Sequence, residues 1–287
     1  MKLRSLWTLA ALAPVMVLAW SPTLGRKVES WEHDGRKREV VVVIPKAASS
    51  KKVPMVIGIH GYGGNGRGFE RQTGFPALAE KEGFIFVAPS ALENRRGWNV
   101  AFIKLGQQGV DDGKFIADLT DSLIKSLPVD PKRVFVAGHS NGAMLANEMG
   151  ARFSTKYRAI ACMAGIAGFQ DGAMPKLPKP SRPVSVLHIH GRADSVVAYE
   201  SASKALLHGM SAPDGAKWWA EALGLKSNPQ TTKKDGVQTD RYLGKNVEVR
   251  LDSLDERGHE WPSFLQVDAK TRYDATTSIW SFFAAQR

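Results

Sequence analysis

The chain has 287 residues, 43% of them hydrophobic and 23% charged, with a formal net charge of +11. This balance excludes a disordered or fibrous chain and supports a large buried core. The basic residues fall in small clusters (Lys51-Lys52, Arg95-Arg96, Lys233-Lys234) and not in one run interleaved with aromatics. That distribution argues against nucleic acid as a partner and leaves a general attraction to anionic polymers or cell surfaces.

Taken from the start, Lys2 and Arg4 precede an almost wholly apolar stretch over residues 6–20, the layout of a secretory signal and short for a membrane span. Residues 1–25 are therefore expected to be a leader. The cut falls after Gly25 or within Ala19-Trp20-Ser21, where Pro22 disfavours processing; a leader left uncut would anchor the N-terminus. Residues 26–287 are expected to form one exported domain, periplasmic or extracellular, with no stable membrane insertion beyond the leader. Cys162 is the single cysteine, so no intramolecular disulfide can form, and its apolar surroundings at 159–164 make it a buried strand residue.

Short β-branched or apolar runs at 39–44, 55–60, 83–88, 133–137, 159–163, 184–190 and 246–251 predict strands. Helical periodicity is clearest over 110–127, where Phe115, Ile116, Leu119, Leu123 and Leu127 share a face, and continues at 141–153, 214–223 and 275–284. Alternating strands and helices imply an α/β fold, a mostly parallel central sheet with helices on both faces. Asp111 and Asp112 open the first of these helices, where carboxylates favour the positive end of the dipole. The proline-rich segment 175–183 is expected to be a surface loop.

The strongest local signal is a strand running into Gly138-His139-Ser140-Asn141-Gly142 and then a helix with Ala143, Ala146 and Gly150 facing inward. A serine at a sharp strand-to-helix turn has the setting of an acyl-transfer nucleophile, with glycines two residues away on either side because larger side chains would collide. The helix N-terminus then offers the Asn141 amide to a developing oxyanion. A second donor is expected from the glycine-rich turn His60-Gly61-Tyr62-Gly63-Gly64-Asn65 after the strand at 55–60, and we assign the Tyr62 amide.

A nucleophilic serine needs a base, and the base an orienting acid, in the chain order Ser, Asp, His. Asp194 lies just past the strand at 184–190, and His259 lies on a loop between the strand at 246–251 and the last helix. Asp111, Asp112 and Glu260 compete with Asp194 but do not end a strand between serine and base. His188 and His190 share a strand face, and with Asp194 would suggest a metal, yet no further ligand run follows; they read as core or supporting groups. No metal or cofactor is expected.

With these motifs in order, and with Gly97-Trp98-Asn99, Val110-Asp111-Asp112, Pro128-Val129-Asp130-Pro131-Lys132-Arg133-Val134, His190-Gly191-Arg192-Ala193-Asp194 and Gly258-His259-Glu260-Trp261-Pro262, the chain resembles a known group. It is similar to the polyhydroxybutyrate-depolymerase and feruloyl-esterase-like α/β hydrolases, close to carbohydrate esterase family one. The resemblance implies the α/β-hydrolase fold, a triad of Ser140, Asp194 and His259, and an oxyanion hole from the Tyr62 and Asn141 amides. Many relatives carry a cysteine where this chain has Gly97, and a histidine loop richer in glycine than Asp255-Glu256-Arg257-Gly258. Trp98 and Trp261, on those two loops, are candidate walls of a substrate pocket.

The expected activity is hydrolysis of a small-molecule or polymer carboxylic ester, hydroxyalkanoate, feruloyl or acetyl-polysaccharide. The same triad also serves acyl transfer or peptide cleavage, and a non-catalytic envelope- or carbohydrate-binding module on this scaffold is the reading from a different class.

Overall fold

A computed structural model describes residues 24–92, 97–105, 109–168, 177–200, 205–226, 228–263 and 271–286. The expected leader therefore lies outside the described residues except for residues 24 and 25.

Ten strands form one sheet in the order β1-β2-β4-β3-β7-β8-β9-β12-β11-β10. Its centre is the parallel set β3 (Val53–Ile59), β4 (Ile85–Pro89), β7 (Val129–His139), β8 (Ala159–Met163), β9 (Ser185–Gly191) and β12 (Val247–Leu254). All seven residues of β3 are buried, as expected for a strand covered on both faces. Antiparallel strands flank this set, with β1 (Gly25–His33) and β2 (Arg36–Ile44) on one side. The other side carries β10 (Gln230–Lys234) and β11 (Val237–Gly244). A two-stranded hairpin, β5 (Asn99–Val100) with β6 (Ile103–Lys104), stands apart.

Strand side chains alternate between two cores. Val40, Val42, Met55, Ile57, Val134, Val136, Ile160 and Val186 meet α3 (Asp112–Ser126), α4 (Asn141–Arg152) and α5 (Ala212–Ala222). Val41, Val43, Val56, Phe86, Phe135, Ala161 and Leu187 meet α1 (Gly66–Thr73), α2 (Phe75–Glu82) and α6 (Ala275–Ala285). The period-2 pleat sends successive residues to opposite faces, so three helices cover each side.

All seven expected strands are present. Besides the short hairpin, two helices and three strands were not legible as periodic runs: β1, β10 and β11 are polar edge elements, and α1 and α2 are eight residues each. Asn65 starts α1 by accepting from the Gly68 amide, and Gly74, in the left-handed region, separates the two helices. The helix expected at 214 begins at Ala212, because Ser211 caps it through the Asp214 amide and Pro213 fits its first turn. Cys162 is fully buried in β8, and burial pushes its thiol well above the usual range. Within the expected loop at 175–183, residues 177–183 are irregular, and 175–176 lie outside the described residues.

The two aspartates at the start of α3 divide their work. Asp111 is the N-cap, accepting from the Lys114 amide at 2.9 Å and from Arg152 Nη2 at 2.8 Å. Asp112 turns inward and meets Arg38 at 2.7 Å while accepting from the Asn99 amide at 2.7 Å. It thus ties β2 to the segment carrying Trp98, a role beyond the dipole effect expected for it.

Candidate active site

The parallel strands all end at one edge, and the residues singled out by the motifs meet there. β7 stops at His139, and Ser140 takes φ 55°, ψ −121° before α4 begins. This left-handed backbone at a residue with a side chain is strain of roughly 1–3 kcal/mol, held by the packing around it. A Cβ on Gly138 would overlap the Gly142 carbonyl, and one on Gly142 would come within 2.5 Å of the His60 oxygen. The elbow is therefore closed by backbone-to-backbone approach on both sides. The Ser140 amide donates to Met163 O at 2.8 Å, fastening the turn to β8.

Asp194 follows β9 and His259 follows β12. Their loops are stitched together: the Ala193 amide donates to Arg257 O at 2.9 Å, and a Cβ on Gly191 would overlap that same carbonyl. The result is a continuous line of bonds. His259 Nε2 lies 2.8 Å from Ser140 Oγ, and His259 Nδ1 lies 2.8 Å from Asp194 Oδ2. A carboxylate accepts only, so Nδ1 carries the proton and Nε2 presents its lone pair to the serine hydroxyl.

Asp194 has a fully buried side chain. Burial alone would raise its carboxyl, but hydrogen bonds from His190, His259 and the Val197 amide outweigh burial and hold it well below the usual carboxylate range. Its Oδ1 accepts from the Val196 and Val197 amides, each at 2.8 Å. Its Oδ2 also receives His190 Nε2 at 3.2 Å, and that nitrogen faces Val197 O at 3.1 Å. Both neighbours are acceptors, so His190 carries its proton on Nε2. Its Nδ1 lies 3.3 Å from His188 Nε2. The three residues that together suggested a metal are thus bonded to one another. Among the described residues no group of three or more His, Cys, Asp or Glu side chains is arranged around a metal position.

Two further histidines brace the site. His139 Nε2 donates to the His259 carbonyl at 3.1 Å, and burial, then the nearby His259, lower its pKa to about 4. His60 spans three segments: Nδ1 meets Gly61 O at 2.7 Å, Nε2 accepts from the Ala91 amide at 3.0 Å, and its carbonyl accepts Trp98 Nε1 at 2.8 Å. Burial lowers its pKa to about 4 as well, keeping it neutral. The sequence offered one signal for these roles, a histidine next to a glycine turn, and it did not specify what each histidine would hold.

The expected oxyanion residues sit close to the serine. A Cβ on Gly61 would lie 3.3 Å from Ser140 Cβ, so the turn leading into Tyr62 passes directly beside Ser140. Asn141 is the first residue of α4, where an amide has no intrahelical partner. The Asn141 side chain is clamped to Trp98, accepting from its amide at 2.7 Å and donating to its carbonyl at 3.2 Å.

Trp98 and Trp261 do not line an open pocket, a correction to the expectation. Trp98 is fully buried, sandwiched between His60 and Phe115, with its N–H satisfied by His60 O. Trp261 is 4% exposed, packs edge-on against Phe69 and His139, and donates to Thr276 Oγ1 at 3.0 Å. Each indole gains more by burying its large apolar area with its N–H paired than by facing solvent. A cleft of about 540 Å³ opens instead on the far side of the glycine-rich turn, bounded by Gly63, Gly64, Asn65, Ser90 and the β2 residues Lys37 and Glu39; the triad does not line it.

The sequence profile of the esterase PHB depolymerase family matches residues 39–210, more than half of the chain. The chain belongs to this family. A bifunctional acetylxylan esterase/xylanase from Neocallimastix patriciarum is 28% identical over 166 residues, covering 58% of this chain and 23% of that protein. Feruloyl esterase B from Piromyces equi is 26% identical over 233 residues, covering 77% of this chain and 42% of that protein. The chain thus spans less than half the length of these two curated relatives. Among solved structures, the acetyl xylan esterase from Aspergillus awamori aligns over 90% of this chain and 99% of its own, with a TM-score of 0.65 at 17% identity. That likeness shows the α/β-hydrolase fold in this member of the esterase PHB depolymerase family.

Proposed function

We propose that this chain is an exported serine esterase that hydrolyses carboxylic esters through an acyl-enzyme on Ser140, with His259 as base and Asp194 as orienting acid. The observation that carries the reading is the unbroken line from Asp194 through His259 to Ser140, 2.8 Å at each step, at a strained strand-to-helix turn. His259 Nε2 takes the hydroxyl proton as Ser140 Oγ attacks the ester carbonyl, and the Asn141 and Tyr62 amides receive the oxyanion. Collapse expels the alcohol, which leaves with the proton from His259. A water then loses its proton to His259 and attacks the acyl carbon; the acyl–Oγ bond breaks, Ser140 Oγ takes back the proton from His259 and the acid is released.

Family membership favours hydroxyalkanoate esters, and the names of the relatives favour feruloyl or acetyl groups on xylan. We assign the chain to short acyl, hydroxyacyl or feruloyl esters. Residues 1–25 act as the leader and residues 26–287 carry the activity. A cut after Gly25 would leave Arg26 to open the first strand.

Fluorophosphonate labelling of wild type and Ser140→Ala tests the mechanism. Wild type is expected to label and the variant not; labelling that does not depend on Ser140 would overturn the proposal. A panel of p-nitrophenyl butyrate, methyl ferulate, acetylated xylan and hydroxybutyrate oligomers then ranks the substrates. Peptidase or acyl-transfer activity with no ester hydrolysis would replace the esterase reading.

A further inference from the structure

The edge of the sheet opposite Ser140 is strongly basic. The parallel strands start there, and cations precede or open five adjacent ones. Lys51 and Lys52 lead into β3, Lys132 and Arg133 open β7, Arg158 precedes β8, Arg182 precedes β9 and Lys245 precedes β12. A register shift between Val53 and Met55 pairs Val53 with Val129 and Met55 with Val134, so residues 130–133 bulge outward and carry their two cations with them. All but Arg133 and Arg158, which are half-buried, are exposed. With strands about 4.8 Å apart, the five starts span a band of roughly 19 Å.

The band is contiguous. Ser154 Oγ meets Ser181 Oγ at 2.9 Å, joining the turns before β8 and β9, and Arg158 Nη2 donates to Asn246 O at 2.8 Å, joining the turns before β8 and β12. Three acids near these strand starts are already committed: Asp121 of α3 pairs with Lys156, Glu248 of β12 with Arg241, and Asp130 of β7 accepts from the Lys132 amide. Burial and then the charge of Arg182 lower the pKa of Arg158.

The chain enters the fold at this same edge. Gly25 pairs with Ile44, the last residue of β2, and Val43 pairs with Phe86 near the start of β4. Immediately ahead lie the apolar residues 6–20, preceded by Lys2 and Arg4. An N-terminus held in a bilayer therefore presents the basic edge to the lipid and the Ser140 edge to water. Among the described residues the one exposed large aromatic side chain, Tyr62, sits at the opposite edge, so the basic band lacks the stacking groups that a sugar-polymer surface uses.

We propose that this edge is an electrostatic docking surface for a bilayer containing anionic phospholipid, holding the catalytic edge toward the aqueous side. The inference is independent of the ester reading. Cations near an anionic bilayer each strengthen binding several-fold, and the attraction weakens with salt.

The test uses the full chain in every arm. Sedimentation with vesicles of phosphatidylcholine alone, and of phosphatidylcholine mixed with phosphatidylglycerol, is compared for wild type, Lys132→Glu/Arg133→Glu and Arg182→Glu/Lys245→Glu. Wild type is expected to prefer the anionic vesicles, and each double reversal to weaken that binding about tenfold or more, with binding to phosphatidylcholine unchanged. Fluorophosphonate labelling and far-UV circular dichroism should match wild type; if either variant melts early, Lys51→Glu/Lys52→Glu replaces it. Equal partition onto both vesicle types, or reversals that bind like wild type, would overturn the proposal. So would charge-dependent retention on polygalacturonate without any preference for anionic vesicles, which would assign the band to an acidic polysaccharide.

Discussion

Asp194→Asn probes the acid and the histidine tautomer in one step. Oδ1 of Asp194 accepts from the Val196 and Val197 amides at 2.8 Å each. Those two donors hold the oxygen of an asparagine in the same place and turn its NH₂ group toward His259 Nδ1 and His190 Nε2. The NH₂ group donates, so His259 must give up the proton on Nδ1 and carry it on Nε2, facing Ser140 Oγ as a donor that can no longer act as base. The expected loss in kcat is about 10⁴, or roughly 5.5 kcal/mol of barrier. Folding should survive, because the asparagine keeps both amide bonds and loses only the charge-assisted ones, a cost of about 1–3 kcal/mol. Turnover of p-nitrophenyl butyrate, with thermal melting as the fold control, measures both quantities. Retention of more than about a tenth of wild-type turnover would refute the tautomer argument.

Stability should fall as the medium is acidified from pH 6.5 toward 4. His60 and His139 are buried and neutral, each with a pKa lowered from 6.5 to about 4. A depressed folded pKa means that the unfolded chain binds the proton first, so the stability these histidines contribute is complete above 6.5 and drains away below it. Each accounts for up to about 3 kcal/mol by pH 4; His139→Gln should flatten the slope of melting temperature against pH, and an unchanged slope would exclude His139 as a contributor. Gly142→Ala should abolish fluorophosphonate labelling and lower stability by about 1–3 kcal/mol, because the new methyl would sit within 2.5 Å of the His60 oxygen. Trp98→Phe should cost about 1–3 kcal/mol by leaving the His60 carbonyl unpaired. Since Trp98 is fully buried, the ratio of activity on methyl ferulate to that on p-nitrophenyl butyrate should stay constant; a changed ratio would place the indole against substrate.

How much was legible follows from where each signal resides. The strand into Gly138-His139-Ser140-Asn141-Gly142 could be read because local sterics restrict the residues beside the elbow, and the six central strands because burial on both faces leaves continuous apolar runs. β10, with all five residues exposed, carries no such run, and β1 alternates only weakly. α1 and α2 are too short for a helical period to separate from chance, although Asn65 and Gly74 mark their boundaries. The two tryptophans were misread because an indole next to a catalytic motif looks the same in sequence whether it faces the site or the core.

By itself the sequence determined the α/β alternation, the order of Ser140, Asp194 and His259 and the turns on which they ride, since these depend on local periodicity and turn chemistry. Tertiary structure alone decided that His190 donates to Asp194, that His139 holds the His259 carbonyl, that Trp98 locks His60 to Asn141, and that the scattered lysines and arginines gather on one edge. Apart from the His190–Asp194 bond, which the turn after β9 makes, each of these joins residues that the sheet order brings together from distant segments. A parallel sheet aligns strand ends irrespective of their separation along the chain, so side chains dozens of residues apart become neighbours only once the crossovers are made.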